Sequence, residues 1–335
     1  MSKISFVDVT LRDGNHTYRH QFTPEIVRHT AAALDAAGVD MIEVGHGDGM
    51  GGSSLHVGRA AATDRELLEA ACGAVKSARV AVFFAPGLGN FADLEMAAEV
   101  GVKVVRMATH CTEADLTQQH IRRAKDMGLY VCGYLISAGM APSETLAEEA
   151  RKMESYGADY VNLAESQGHL VPTEVAARVR AVRGAIQIPI GFHPHNNLGL
   201  AIGNILAALN EGASFVDGSL KGFGGGAGNA QTEVAVAALK RAGHETGVDL
   251  FKIMDAAAVF QHQLGSYPMP VIENDSILMG YANVYGGYLH PVQEAARKYG
   301  VDARTLVLRL GARKVVAAQE DIVIEEAQRL AAQAA

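Results

Sequence analysis

Two histidines separated by a single residue, His193 and His195, lie in the stretch Phe192-His193-Pro194-His195-Asn196-Asn197. On a strand, residues i and i+2 project to the same side, so both imidazoles can share one metal ion. A second polar group stands far upstream, where a strand-like run with Val7, Val9 and Leu11 on one side breaks into Arg12-Asp13-Gly14-Asn15-His16. Asp13 adds a hard oxygen to the two nitrogens, a set suited to a divalent cation with positions left open for water and substrate. Such a cation polarises a carbonyl as a Lewis acid. Beside it, Arg12 offers a fixed cationic fork and His16 a group able to carry protons near neutral pH.

Each of these residues also has a plainer reading. Arg12 either stabilises a developing oxyanion beside the metal or pairs with a buried carboxylate of the scaffold. His16 acts as a general acid or base, or it is a loop histidine in solvent. His20 reads as structural, and Cys111 in ATHCTEAD is not needed as a nucleophile beside a metal. The run Gly222-Phe223-Gly224-Gly225-Gly226-Ala227-Gly228-Asn229 could cradle a phosphate, but it lacks the Lys-Ser/Thr end of a P-loop. Close backbone approach is the simpler use of its glycines. No lysine stands out as a Schiff-base former.

The elements that must position these groups repeat steadily. Short apolar runs read as strands at Ser5–Leu11, Met41–Val44, Val80–Ala85, Val102–Ala108, Tyr130–Ile136, Tyr160–Ala164, Ile188–Phe192 and Phe215–Leu220. Between them lie helical stretches such as Glu25–Ala37, Asp93–Val100 and Glu144–Tyr156. Several end in a glycine followed by the next strand (AAGVDMIEV, EVGVKVVRM, DMGLYVCGY, SYGADYVNL, NEGASFVDG), which suits a left-handed helix C-cap. Eight βα units predict an α/β fold, a TIM (β/α)8 barrel, more readily than a doubly wound sheet. In such a barrel the polar residues at the C-terminal strand ends converge on one face, and His16, His46, His110, His193 and His195 fall there.

After Gly243 the strand rhythm stops. Helices are predicted at Leu250–Leu264, Asn274–Tyr299 and Ala303–Gln333, with Pro268 and Pro270 in a connector. The expected division is a catalytic barrel over 1–249 and a helical C-terminal domain over 250–335, serving as active-site lid and partner contact. The net charge is −8 and the 29 Lys and Arg are scattered, so a nucleic-acid footprint is missing. No apolar run reaches the roughly 18 residues of a membrane span, and the N-terminus lacks a signal-peptide pattern. Cys72, Cys111 and Cys132 form no CxxC pair and read as reduced thiols, so a cytoplasmic location is expected.

DVTLRDG, FHPHNNLGLA and GSLKGFGGGAGNA together resemble the metal-dependent barrel superfamily of hydroxymethylglutaryl-CoA lyase, isopropylmalate synthase and pyruvate carboxyltransferase domains. EVGHGDG, ATHCTEAD, the GYANVYGGYLH segment and the late QED resemble one branch, the 4-hydroxy-2-oxovalerate aldolases, across almost the whole chain. The resemblance implies a class II aldolase that cleaves 4-hydroxy-2-oxo acids to pyruvate and an aldehyde, as in aromatic hydrocarbon catabolism. Asp13, His193 and His195 would hold a divalent metal, Mn²⁺ with Mg²⁺ or Co²⁺ as substitutes. Arg12 would steady the pyruvate enolate and His16 would act on the 4-hydroxyl. Ser166 and His193 would contact the pyruvyl group, and Tyr285 would close the site. The resemblance further implies an oligomer and an acylating aldehyde dehydrogenase partner. Acyl-CoA-dependent synthesis or a silent scaffold subunit are the competing functions; the retained Arg12, Asp13, His16, His193 and His195 argue against the scaffold.

Two departures stand out. Glu165-Ser166-Gln167-Gly168-His169 replaces the family's Asp-Ser-Gly-Gly, with bulkier groups that would reshape the pocket. Ala317 and Ala318 stand where the family places two glycines before QED, and their methyls would narrow the passage to the partner.

Overall fold

The computed structural model describes residues 4–55, 57–316 and 319–334; Ala317 and Ala318 lie outside the described residues. Eight parallel strands close into one barrel in sequence order, β1 (Ser5–Asp8), β2 (Met41–Glu43), β3 (Arg79–Phe84), β4 (Val104–His110), β5 (Tyr130–Ile136), β6 (Tyr160–Glu165), β7 (Ile190–Pro194) and β8 (Phe215–Gly218). Closure is made by β8 on β1, with Ser5 opposite Phe215 and Asp8 opposite Gly218. Each predicted strand is present: β5 keeps its predicted bounds, β6 gains one residue, and the others are shifted or shortened by a few residues. The five glycines expected as helix ends, Gly38, Gly101, Gly128, Gly157 and Gly212, all have positive φ, between 77° and 107°. A residue with a Cβ is strained there, which is why the chain turns from helix to strand at these points.

Alternation along the strands separates two apolar layers. Val7, Met41, Ala81, Val104, Cys132, Tyr160 and Phe215 face inward and fill the barrel. The alternate residues, such as Phe6, Ile42, Val82, Val105, Val131 and Val161, face out against the helices. Above the inner layer the interior turns polar, with Glu43, Arg106, Asn162, His193 and Asp217 all buried.

The helix Leu250–Leu264 packs with the barrel: Ile253, Ala256, Ala257, Phe260 and Leu264 join the outer core, and Phe260 meets Phe22 and Phe223 edge to face. The separate C-terminal core begins at Met279 and includes Val284, Tyr288, Leu306, Leu310, Val323 and Ala327. Two predicted helices are broken here. Asn274–Tyr299 becomes Asn274–Ala282 and Leu289–Tyr299, because Asn283 takes a left-handed conformation (φ 55°) and Gly286 and Gly287 follow. Ala303–Gln333 becomes Ala303–Ala312 and Glu320–Ala334, with Lys314 left-handed (φ 53°) in the break. The first break frees Tyr285 from a helix. Among the described residues, no helix is long and apolar enough to cross a membrane.

Candidate active site

The residues after β1 turn tightly, with the Arg12 and Asp13 amides both bonded to the Val9 carbonyl (3.1 and 2.8 Å). This turn aims two buried side chains into the C-terminal mouth of the barrel. Arg12 donates from Nε to Glu43 Oε2 (2.7 Å) and from Nη1 to Asp13 Oδ1 (2.9 Å) and the Gly47 carbonyl (3.2 Å). Its guanidinium lies over the Phe83 ring at 4.5 Å. Burial disfavours its charge, but Glu43 and Asp13 outweigh that, so Arg12 is a fixed cation. The plain reading of Arg12 holds: it pairs with a barrel carboxylate, and it keeps one edge beside Asp13.

From β7, His193 and His195 meet Asp13. Their Nε2 atoms lie 3.8 and 3.7 Å from Asp13 Oδ2, and the three donor atoms fall within 4.8 Å of one another. His193 Nδ1 donates to Asp217 Oδ2 (2.9 Å), and His195 Nδ1 to the Gly225 carbonyl (3.3 Å). Protonation at Nδ1 leaves each Nε2 lone pair pointing at the common centre, the tautomer a metal ligand needs. Burial pushes His195 down to about 4 against the pull of Asp13, so the ring is neutral. Burial would raise Asp13, yet Arg12, His195 and His193 hold its carboxyl well below the usual range. Asn229 completes the group, donating to Asp13 Oδ2 (2.6 Å) while its buried Oδ1 has no protein partner. Turning the amide over would present that oxygen to the same centre. Two nitrogens, a carboxylate and a spare amide oxygen fit a divalent cation.

The glycine run serves this centre and not an anion. Its Gly224 and Gly225 carbonyls face Thr17 Oγ1 and His195, which is the wrong polarity for a phosphate. A Cβ on Gly224 would lie 2.6 Å from the Asn229 amide, so close backbone approach is what the glycine permits.

His16 packs its ring on Gly47, where a Cβ would come within 2.6 Å. Gly47 is a hub: its carbonyl accepts from Arg12 and its N–H donates to His20 Nδ1 (3.3 Å). His20 is buried, stacks on His46 with centroids 3.6 Å apart and meets His16 edge-on at 5.3 Å. Burial, helped by His46 and His16, pushes it down to about 4. His16, His20 and Asp48 also have donor atoms within 4.8 Å of one another.

Ser166 follows Glu165, which pairs with Pro194 and whose carbonyl accepts from the His195 N–H (3.2 Å), so it sits beside His195. Its Oγ accepts from the Ser137 N–H (3.0 Å). The bulkier neighbours act as ties: Gln167 Nε2 donates to Ser137 Oγ (2.9 Å), and His169 Nδ1 to the Gly280 carbonyl in the C-terminal domain (2.8 Å). Tyr285 is half-buried against the C-terminal core, and burial, then Asp48 and Asp13, raises its phenol well above its usual value. Cys111 is buried, donates to the Ser137 carbonyl (3.2 Å) and is pushed up to about 12 by burial, so it is no nucleophile. Glu43, Asp217, Gly47 and Asn229 were not singled out from the sequence.

The chain matches the HMGL-like family over residues 3–260 and the DmpG-like communication domain over residues 270–332. It is 50% identical over 328 residues to the 4-hydroxy-2-oxovalerate aldolase of Carboxydothermus hydrogenoformans, covering 98% of this chain and 97% of that one. It is equally 50% identical over 328 residues to the protein of that name from Pelotomaculum thermopropionicum, covering 98% and 96%. Among solved structures, the carboxyl transferase domain of Rhizobium etli pyruvate carboxylase with 3-hydroxypyruvate superposes with a TM-score of 0.81, over 99% of this chain and 61% of that one. Its 17% identity speaks for the fold alone. An eight-stranded barrel with this site, joined to a helical domain of that type, makes the chain a member of the HMGL-like family, in the group of 4-hydroxy-2-oxovalerate aldolases.

Proposed function

We propose that Asp13, His193 and His195, with Asn229 in support, hold one divalent metal, Mn²⁺, and that the site cleaves 4-hydroxy-2-oxo acids such as 4-hydroxy-2-oxovalerate. The observation that carries this is the convergence of two Nε2 lone pairs on Asp13 Oδ2, each fixed by a hydrogen bond at Nδ1. Bound there, a divalent metal supplies Lewis-acid polarisation of the substrate's 2-oxo group.

The chain's own residues do the rest. Ser166 and His193 flank the pyruvyl end, and the free edge of Arg12 faces it. His16 takes the proton from the 4-hydroxyl as general base. The electron pair of that O–H bond forms the aldehyde carbonyl as C3–C4 breaks, and the C3–C4 pair moves onto the 2-oxo acid. Arg12, already charged and held by Glu43, meets the negative charge that develops on the 2-oxo oxygen without reorganising. Protonation at C3 then gives pyruvate. Tyr285, on the segment between the two broken helices, closes the mouth and limits water.

The test uses metal-stripped protein restored with Mn²⁺, 4-hydroxy-2-oxovalerate, and lactate dehydrogenase to report pyruvate. Metal-dependent NADH consumption is expected, with kcat lower by about 10²–10⁴-fold in His16→Ala. No pyruvate from any 4-hydroxy-2-oxo acid would sink the reading. The communication domain supports docking of an acylating aldehyde dehydrogenase within an oligomer of cytoplasmic subunits. Co-purification from the native host followed by mass measurement tests that partner. The ties made by Gln167 and His169 would set which aldehydes fit.

A further inference from the structure

Beneath the Asp13–His193–His195 group lie Glu43 on β2, Arg106 on β4 and Asp217 on β8, all buried in the barrel. Arg106 is the largest fully buried side chain among the described residues, and its guanidinium rests over the Tyr134 ring at 4.6 Å. Its Nη2 donates to Asp217 Oδ2, and its Nη1 lies 3.3 Å from Glu43 Oε1. Each carboxylate also grips one residue of the site above. Glu43 Oε2 accepts from Arg12 Nε at 2.7 Å, and Asp217 Oδ2 accepts from His193 Nδ1 at 2.9 Å. Arg12 in turn bonds Asp13 Oδ1 at 2.9 Å, and Asp13 Oδ2 lies 3.8 Å from His193 Nε2. The contacts form a closed ring: Asp13, Arg12, Glu43, Arg106, Asp217, His193 and back to Asp13.

Arg106 is the member of this ring farthest from the reacting atoms, and the other members depend on it. Without it, two carboxylates would stand in an interior walled by Val104, Cys132 and Tyr134, with only Arg12 left to balance them. A planar fork reaches carboxylates on two different strands at once, which a lysine's single ammonium does poorly.

We propose that Arg106 is a positioning residue: through Glu43 it aims the Arg12 guanidinium, and through Asp217 it fixes the ring orientation and Nδ1–H tautomer of His193. One buried cation thereby keeps the substrate-facing and metal-facing halves of the site in register. The meaning of those halves rests on the aldolase reading; the geometry does not.

The test compares Asp217→Asn, Glu43→Gln and Arg106→Gln in metal-stripped protein titrated calorimetrically with Mn²⁺ alone. Asp217→Asn is expected to weaken Mn²⁺ binding about 10–100-fold, as loss of an orienting partner does. Glu43→Gln should leave Mn²⁺ affinity unchanged but lower kcat/KM for the oxo acid, and Arg106→Gln should do both. In metal-free protein labelled with ¹⁵N-histidine, the protonated Nδ1 signal that disappears in His193→Gln should shift in Asp217→Asn and Arg106→Gln and stay in place in Glu43→Gln. Folded Arg106→Gln with wild-type Mn²⁺ affinity and an unmoved His193 signal overturns the proposal. If Arg106→Gln does not fold, Arg106→Lys decides: a shifted His193 signal supports the proposal and an unmoved one overturns it. A wild type that forms no pyruvate, or binds no Mn²⁺, sinks the aldolase reading while the histidine spectrum still judges Arg106.

Discussion

Two groups of two histidines and an aspartate lie near each other at the barrel mouth, Asp13–His193–His195 and His16–His20–Asp48, and each brings its donor atoms within 4.8 Å. By residue type and distance they are equivalent. Their hydrogen bonds separate them. In the first, both Nδ1 atoms donate away from the centre, to Asp217 and Gly225, and both Nε2 lone pairs are free. In the second, the Nδ1 lone pair of His20 is taken by the Gly47 N–H, so its proton sits on Nε2, and the ring is stacked on His46. A metal site is therefore defined by what the far nitrogen of each histidine holds, more than by how many ligands gather. The second group instead props His16 at the rim.

The sharpest way to break this comparison is to remove one aspartate from each group. Asp13→Ala should abolish Mn²⁺ binding and lower pyruvate formation at least about 10³-fold, since several kcal/mol of carbonyl polarisation go with the metal. Asp48→Ala should leave Mn²⁺ affinity intact; equal losses in calorimetry would erase the distinction.

Acid comes next in size. His195 falls to about 4 in the fold against an ordinary 6.5 when unfolded. As pH drops from 6.5 toward 4 the unfolded chain therefore binds a proton that the folded chain refuses. Stability is full above 6.5 and falls by up to about 3 kcal/mol from this group at the low end. Denaturant titrations at pH 7 and pH 4.5 should show the drop, with His195→Gln flattening it. Mn²⁺ at pH 7 should raise the denaturation midpoint of wild type and of His20→Gln, and not that of His195→Gln.

A smaller effect is expected from Gly47→Ala. Its φ is not in the left-handed region, so the cost comes from the new methyl, 2.6 Å from the His16 ring. Displacing the base should lower kcat about 10–100-fold with no change in Mn²⁺ affinity. The smallest effect expected is that of His20→Gln on Mn²⁺ binding, which should be nil by calorimetry; a clear weakening would make the second group a ligand set after all.

The barrel was legible because short apolar runs and capping glycines are local signals, and the i, i+2 spacing of His193 and His195 survives any error in strand ends. Asp13 was legible because it breaks an apolar run at a strand end. Glu43, Arg106 and Asp217 were not, since each sits inside an apolar strand (MIE, VVRM, FVDG), where one charge reads as noise against the burial pattern. A lone charge in a strand that is otherwise all apolar is the signal that would have found them. Asn229 was hidden in a run read for its glycines, and Gly47 has meaning only once His16 and His20 fold onto it. The C-terminal helices were drawn too long because Asn283 and Lys314 stop a helix by adopting left-handed φ; asparagine is a residue type that favours this and was passed over, whereas lysine is no marker for it.

The helix Leu250–Leu264 sets a lower limit on the smallest piece of this chain able to fold by itself. Phe260 is wedged between Phe22, two residues past His20, and Phe223, at the head of the loop that presents Asn229. A fragment cut at 249 would leave those two rings facing water and loosen both walls of the active site. A catalytic barrel separated from its communication domain has to carry that helix along, so the dividing line for any domain exchange runs after Leu264.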